Sequence, residues 1–343
     1  MGNKMKQQPP DIFFVTRDDP RYLQQLRAEE EFWDKSRITL AMLTPRPAIQ
    51  QYMNERLTGQ ADQQWFEMIP DYGDFRRGCV LGAGPGAIES RLLSQLQHLH
   101  LTFYDISGET LGRLQRRLEQ QFPGRTAICH QDLNFVTLAA NSYDLIIANE
   151  CLHHLLNLEH VAFQINNALT PDGFVFMFEV VSESYFQFSE EKKRLFEALV
   201  GATYDGPGRA PPVQWPDRSN WTLHSPFESV RSGEILDVFG RYLQQVRLRT
   251  YASLLTLTLF LPSMVALAFE ANVKRHGRRQ RVAAALRAAL FRRKTDLAGE
   301  RARDRLLFLL DRVLTDTGYL EPGLAFAIYR KRGTGGASAE LRS

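Results

Sequence analysis

The segment Cys79-Val80-Leu81-Gly82-Ala83-Gly84-Pro85-Gly86-Ala87 decides how this chain folds. Its first three residues read as a short buried strand, and Ala87 to Gln97 continues at helical spacing. Glycines between a strand and a helix permit a tight turn and let a ligand approach the backbone. The helix start adds free N–H groups facing that ligand. Strand, glycine turn and helix therefore point to a nucleotide-type ligand. Gly82-x-Gly84-x-x-Ala87 also fits a dinucleotide fingerprint, so the turn alone leaves the ligand open.

Apolar runs recur downstream at Leu99 to Tyr104, Ala127 to Cys129, Tyr143 to Ala148 and Phe174 to Val181. Helix-like stretches, Gly108 to Phe122 and Val161 to Leu169, lie between them. This alternation predicts parallel strands joined by right-handed crossovers, hence a doubly wound sheet. A helix over Ser232 to Tyr242 and strands over Val246 to Tyr251 and Leu324 to Tyr329 complete it. The expectation is an α/β, Rossmann-like, seven-stranded and mostly parallel sheet. An N-terminal helical cap, with helices near Tyr22 to Phe32 and Ile49 to Phe66, precedes it. The chain then divides into a cap (1–77), a core (78–182), an acceptor-side segment without clear period (183–231) and a helix with strand six (232–252). A helical lid insertion (253–322), a last strand (323–332) and a Gly/Ser-rich tail (333–343) follow.

Composition narrows the function. With 343 residues, 44% hydrophobic content and a formal charge of +3, the chain has a globular core and too little charge for a nucleic-acid binder. Cys79, Cys129 and Cys151 share no metal-ligand spacing and read as buried thiols of a reducing cytoplasm. Met1 to Pro10 lacks the apolar stretch of a signal peptide. The apolar run Leu254 to Phe269 is shorter than the ~20 residues of a membrane span, and Pro262 interrupts it, so a buried helix or lid is expected. Lys274 to Arg305 holds twelve Lys or Arg against three acids. A solvated helix face explains such a run, with a membrane surface, an acidic carrier protein or a phosphorylated substrate as sharper alternatives. Oligomeric state is not legible, and a homodimer stays open.

Four motifs fix the ligand. Asp105 ends the second strand nineteen positions beyond Gly86, where a carboxylate can accept ribose hydroxyls. Gln131-Asp132-Leu133 ends the third strand. Tyr143-Asp144-Leu145-Ile146-Ile147-Ala148-Asn149-Glu150 runs into Cys151-Leu152-His153-His154-Leu155, and Leu169-Thr170-Pro171-Asp172-Gly173 precedes the fifth strand. Over Gly78 to Val181 this set resembles the class I S-adenosylmethionine-dependent methyltransferases. The resemblance implies S-adenosyl-L-methionine as cofactor, held by Gly82, Ala83, Gly84 and Gly86, by Asp105 and Ile106 at the ribose, by Asp132 and Leu133 at the adenine, and by Asn149 and Glu150. One departure stands out: Val80 replaces the acid the family usually carries two residues before the first glycine. Trp33 or Arg37 in the cap is expected to take over its anchoring.

On the acceptor side the catalytic candidates are His153, His224 and His154, in that order. The resemblance implies that His154 packs beneath the cofactor. A histidine removing a hydroxyl proton works best near its ordinary pKa of ~6–7. Trp33, Trp221, Glu228 and Arg231 are the acceptor-binding candidates, and no metal-ligand cluster is visible in the sequence. The expected activity is methyl transfer to a hydroxyl of a small specialised metabolite or sugar-like molecule. A non-catalytic binding or assembly protein, membrane-associated or not, is the alternative. A nicotinamide oxidoreductase and N- or C-methylation rank lower.

Overall fold

The computed structural model describes residues 14–35, 47–84, 86–203, 215, 225–255 and 297–333. Seven strands form one sheet: β1 (Arg77–Leu81), β2 (His100–Asp105), β3 (Thr126–His130), β4 (Tyr143–Asn149), β5 (Leu169–Val180), β6 (Gln244–Tyr251) and β7 (Leu324–Arg330). Their order is β3-β2-β1-β4-β5-β7-β6. β3 to β5 pair in parallel, and β7 runs antiparallel to both β5 and β6. The order reverses between β1 and β4, and such a switch point opens a ligand crevice at the carboxyl ends of the strands.

Side-chain alternation sorts the core into two layers. Val80, Phe103, Ile147, Phe176 and Phe326 face one side, where Leu92 and Leu93 of α3 (Ala87–Gln95), Leu111, Leu114 and Leu118 of α4 (Gly108–Gln121) and Tyr52 of α2 (Pro47–Thr58) pack on them. Leu81, Ile146, Ala148, Val175, Met177 and Ala327 face the other side. There they meet Val161, Ala162 and Ile165 of α5 (Leu158–Ala168) and Val238 and Phe239 of α7 (Ile235–Tyr242). Period-2 strands between period-3.6 helices produce this division directly.

The cap is α1 (Pro20–Lys35), α2 and a 3-10 turn over Trp65–Tyr72. The single helix expected through Phe66 stops at Thr58, because Gly59 takes a left-handed φ of +91°. The acceptor-side segment has no clear period, yet α6 (Glu190–Thr203) forms there. Its Lys192 is fully buried and donates to Glu183 at 2.8 Å, a polar residue where a period reading expects an apolar one.

Of the insertion expected as a helical lid, residues 256–296 lie outside the described residues. Its described helix, α8 (Leu297–Asp316), packs on β6 and α2 at the far edge of the sheet. Asp311 fixes it there, accepting the N–H groups of Ala252, Leu254 and Leu255 at 2.8–3.0 Å and the hydroxyl of Tyr52 at 2.9 Å. Leu254 and Leu255 are buried, while the rest of the apolar run and most of the basic stretch lie outside the described residues. Among the described residues no helix is long and apolar enough to cross a membrane.

Glu89 on the first turn of α3 is 5% exposed, and burial pushes its carboxyl up to about 7 against the pull of its own backbone N–H and Arg117. The folded chain then holds a proton that the unfolded chain releases near 4.5. Stability is therefore lost as pH rises from about 4.5 to about 7 and stays flat above. Glu89→Gln removes that loss. Urea unfolding is expected to show parent and variant alike at pH 4, and the variant more stable on the order of 2–3 kcal/mol at pH 8. Equal pH slopes would refute the assignment.

Candidate active site

β3, β2, β1 and β4 are neighbours and parallel, so their carboxyl ends stand side by side. Gly82, Ala83, Asp105, Ile106, Asp132, Leu133, Asn149 and Glu150 all sit at or just beyond those ends. Gly82 has a φ of +69°, and a Cβ there would strike the Cys151 Cβ at 2.4 Å, so no other residue fits against β4. At Gly84, φ is +46° and an added Cβ would meet nothing within 4 Å, so the turn faces open space there. Asp105 accepts the N–H of Ala83 and of Ser107, each at 2.7 Å. Burial raises its pKa, and the surrounding backbone N–H groups partly offset this. The N–H groups of Ala83, Gly84, Ile106 and Ser107 thus fix the carboxylate at the strand end, the place where a ribose hydroxyl meets an acid in such sheets.

At Asp132, one oxygen accepts the Asn134 N–H at 2.9 Å and the other the Tyr22 hydroxyl at 2.5 Å. Tyr22 belongs to α1. The same helix sends Asp34 to the Ser107 hydroxyl at 2.7 Å, and Trp33 edge-on to His154 at 5.3 Å between ring centroids. Thus α1 of the N-terminal cap lies along the carboxyl edge of the sheet. Open space at Gly84, a fixed carboxylate at Asp105 and a helix start below them fit a nucleoside cofactor with a small polar tail.

β4 leads into the second half of the site. Glu150 has a φ of +49°, and desolvation of its carboxyl, aided by Glu179 and Glu228, pushes it up to about 6 against the pull of His153 and His154. The 3-10 turn Leu152–His154 is fastened by Glu179 near the end of β5, a fully buried carboxylate. Glu179 accepts the N–H groups of Cys151 and Leu152 at 3.0 and 2.6 Å, and lies 2.6 Å from His153 Nδ1. With Val180 N–H at 3.1 Å as a third backbone donor, this carboxylate is an acceptor, so Nδ1 carries the proton and Nε2 faces Glu228. Burial pulls the His153 imidazole down, but Glu179, then Glu228 and Glu150, outweigh it and push it up to about 9. The expected base near ~6–7 is therefore displaced upward.

His154 is held differently. Its Nδ1 lies 3.2 Å from Glu29 and 3.2 Å from the Ser225 hydroxyl. Burial would raise the pKa of Glu29, but bonds from His154, Ser225 and Trp33 hold it below the usual range. Glu228 stands between the histidines, 3.6 Å from His153 Nε2 and 3.8 Å from His154 Nε2. His153, His154, Glu228 and Trp33 are thus brought together. Trp221 and His224 lie outside the described residues.

Arg231 has another task. Its guanidinium is buried and donates to both Glu159 oxygens at 2.8 Å, to Glu234 and to the Leu156 carbonyl at 2.6 Å. With its donors taken, it ties the 225–231 segment to α5 and has no group left for an acceptor.

Glu179 and Glu29 were missed by the sequence reading. Glu179 did leave a signal, as the lone charge in the apolar run Phe174 to Val181. Glu29 left none, since it is one acid among several on α1.

Residues 80–175 match the family model described as a methyltransferase domain. This segment is a methyltransferase domain. Its cofactor is S-adenosylmethionine, and it spans the glycine turn, Asp105, Asp132 and the histidine pair. The curated relatives include citrinin polyketide synthase from Monascus ruber, 24% identical over 125 residues. Those residues are 35% of this chain and only 5% of the synthase, so the chain spans a small fraction of such a relative. Solved structures similar to it include the [4+2]-cyclase SpnF, with a TM-score of 0.40 and 16% identity over 74% of this chain and 75% of that one. A Mesorhizobium loti S-adenosylmethionine-dependent methyltransferase aligns with a TM-score of 0.41 and 15% identity, covering 77% and 94%.

The ribose role of Asp105 is tested by Asp105→Ala. Its affinity for S-adenosylmethionine is expected to fall by ~1.5–3 kcal/mol, the worth of hydrogen bonds to a charged group. Unchanged affinity in titration calorimetry would sink the assignment.

Proposed function

We propose that the chain transfers the methyl group of S-adenosylmethionine to a small acceptor that must lose a proton, a hydroxyl of a specialised metabolite or sugar-like molecule. One observation carries this reading: His153, locked by Glu179 at 2.6 Å, stands at the carboxyl end of β4 beside the cofactor turn. Glu179 fixes the tautomer and offsets the positive charge on the ring, and Nε2 receives the acceptor's proton. When bound, the cofactor supplies the methyl group and a sulfonium charge that disfavours the imidazolium. The α1 helix excludes water from Asp132 and His154. Displacement at carbon needs no covalent intermediate, so alignment supplies the remainder of the rate.

A carbon acid flanked by carbonyls makes the same demand on the base. The partial match to a polyketide synthase favours it as the second reading. Methyl-labelled cofactor offered with hydroxyl acceptors and with a 3-ketoacyl thioester separates the two by the carbon shift of the new methyl group. Cofactor binding with no transfer to either class would leave a binding or assembly protein as the better account.

A further inference from the structure

We infer that His153, His154 and Glu228 form a binding site for a divalent metal ion of the zinc class. Their ligand atoms lie within 4.8 Å of one another, though Glu228 is more than seventy positions away in sequence. His153 Nε2 lies 3.6 Å from Glu228 Oε1, and His154 Nε2 lies 3.8 Å from Oε2 of the same carboxylate. Bonds of ~2.0–2.1 Å in a tetrahedron put ligand atoms roughly 3.4 Å apart. An octahedron of the same bonds needs roughly 3.0 Å, so the tetrahedral ion demands the smaller contraction.

The surroundings distinguish this trio from a chance surface cluster. Each ring has its Nδ1 against a separate buried carboxylate, Glu179 for His153 and Glu29 for His154. That is the supporting arrangement of metal-bound histidines, in which the outer hydrogen bond fixes the tautomer and aims the other nitrogen at the ion. Three protein ligands leave a fourth position for water or an incoming group. Glu29, Glu150, Glu179 and Glu228 surround two imidazoles, and a dication reduces the repulsion among them.

Binding of the ion stands apart from methyl transfer and is read without cofactor or acceptor. The two uses collide at one atom, because the ion takes the His153 Nε2 lone pair that a base requires. The metal-loaded chain is then a resting form.

Cobalt(II) titrated into the full, chelator-stripped chain is expected to give intense visible d–d bands saturating at one equivalent, displaced by zinc. Zinc affinity should fall at least ~100-fold in Glu228→Gln and in His154→Gln, and roughly 10–100-fold in Glu29→Gln. Far-ultraviolet circular dichroism confirms that each variant is folded, and the near-isosteric Glu228→Gln guards against loss of structure. Absent d–d bands, or affinity unchanged in folded Glu228→Gln and His154→Gln, would overturn the site. Zinc that binds as described without stopping turnover would retain the site and overturn the base role of His153.

Discussion

Chelator-treated protein carrying His153→Gln is expected to transfer the methyl group roughly 10²–10⁴-fold more slowly in a single turnover, the usual worth of a positioned general base. Its affinity for S-adenosylmethionine should stay within a few-fold of the parent. Glutamine still donates toward Glu179 and fills similar space, but its outward end lacks a basic nitrogen. Glu179→Gln is expected to behave differently. It disturbs the bonds to Cys151 and Leu152 as well as to His153, so both rate and stability should fall. A near-normal single-turnover rate in His153→Gln would point to an acceptor needing no deprotonation, such as a neutral amine methylated by alignment alone.

Removing the Arg231 guanidinium, as Arg231→Met, is expected to cost about 3 kcal/mol of folding stability. Breaking one partner of a buried pair typically costs ~3–5 kcal/mol, because the other charge is left buried. The lower end applies here, since Arg241 stands 3.7 Å from Glu159 and takes up part of the charge, while Glu234 reaches solvent. Glu159→Gln in the same background should recover part of the loss, as expected of coupled neighbours. The measurement is a urea midpoint for the four chains of the cycle. An unchanged midpoint with a raised acceptor KM would restore Arg231 to the acceptor side.

Most of the strands were legible in the sequence because they are apolar runs separated by helix-period stretches, while β6 shows instead as alternation along Val246 to Tyr251. The glycine turn, Asp105 and Asp132 were legible because their spacing along the chain sets their place on the sheet. What stayed hidden depends on contacts that no local pattern encodes. Glu179 reaches His153 across two strands, Glu29 reaches His154 from a helix more than a hundred residues earlier, and Glu228 arrives from beyond α6. Arg231 was misread for a related reason: an exposed-looking charge near a helix start gave no hint that Glu159 would bury it. Lys192 concealed α6 in the same way, by putting a paired charge where helical periodicity looks for an apolar residue.

One helix, α1, supplies Tyr22 to Asp132, Glu29 to His154, Trp33 to the same ring and Asp34 to Ser107. One element therefore braces both ends of the carboxyl edge, the turn after β3 and the turn after β4. Its polar attachments are each worth about 0.5–1.5 kcal/mol, so a substitution that shifts α1 would loosen both ends together without unfolding the sheet.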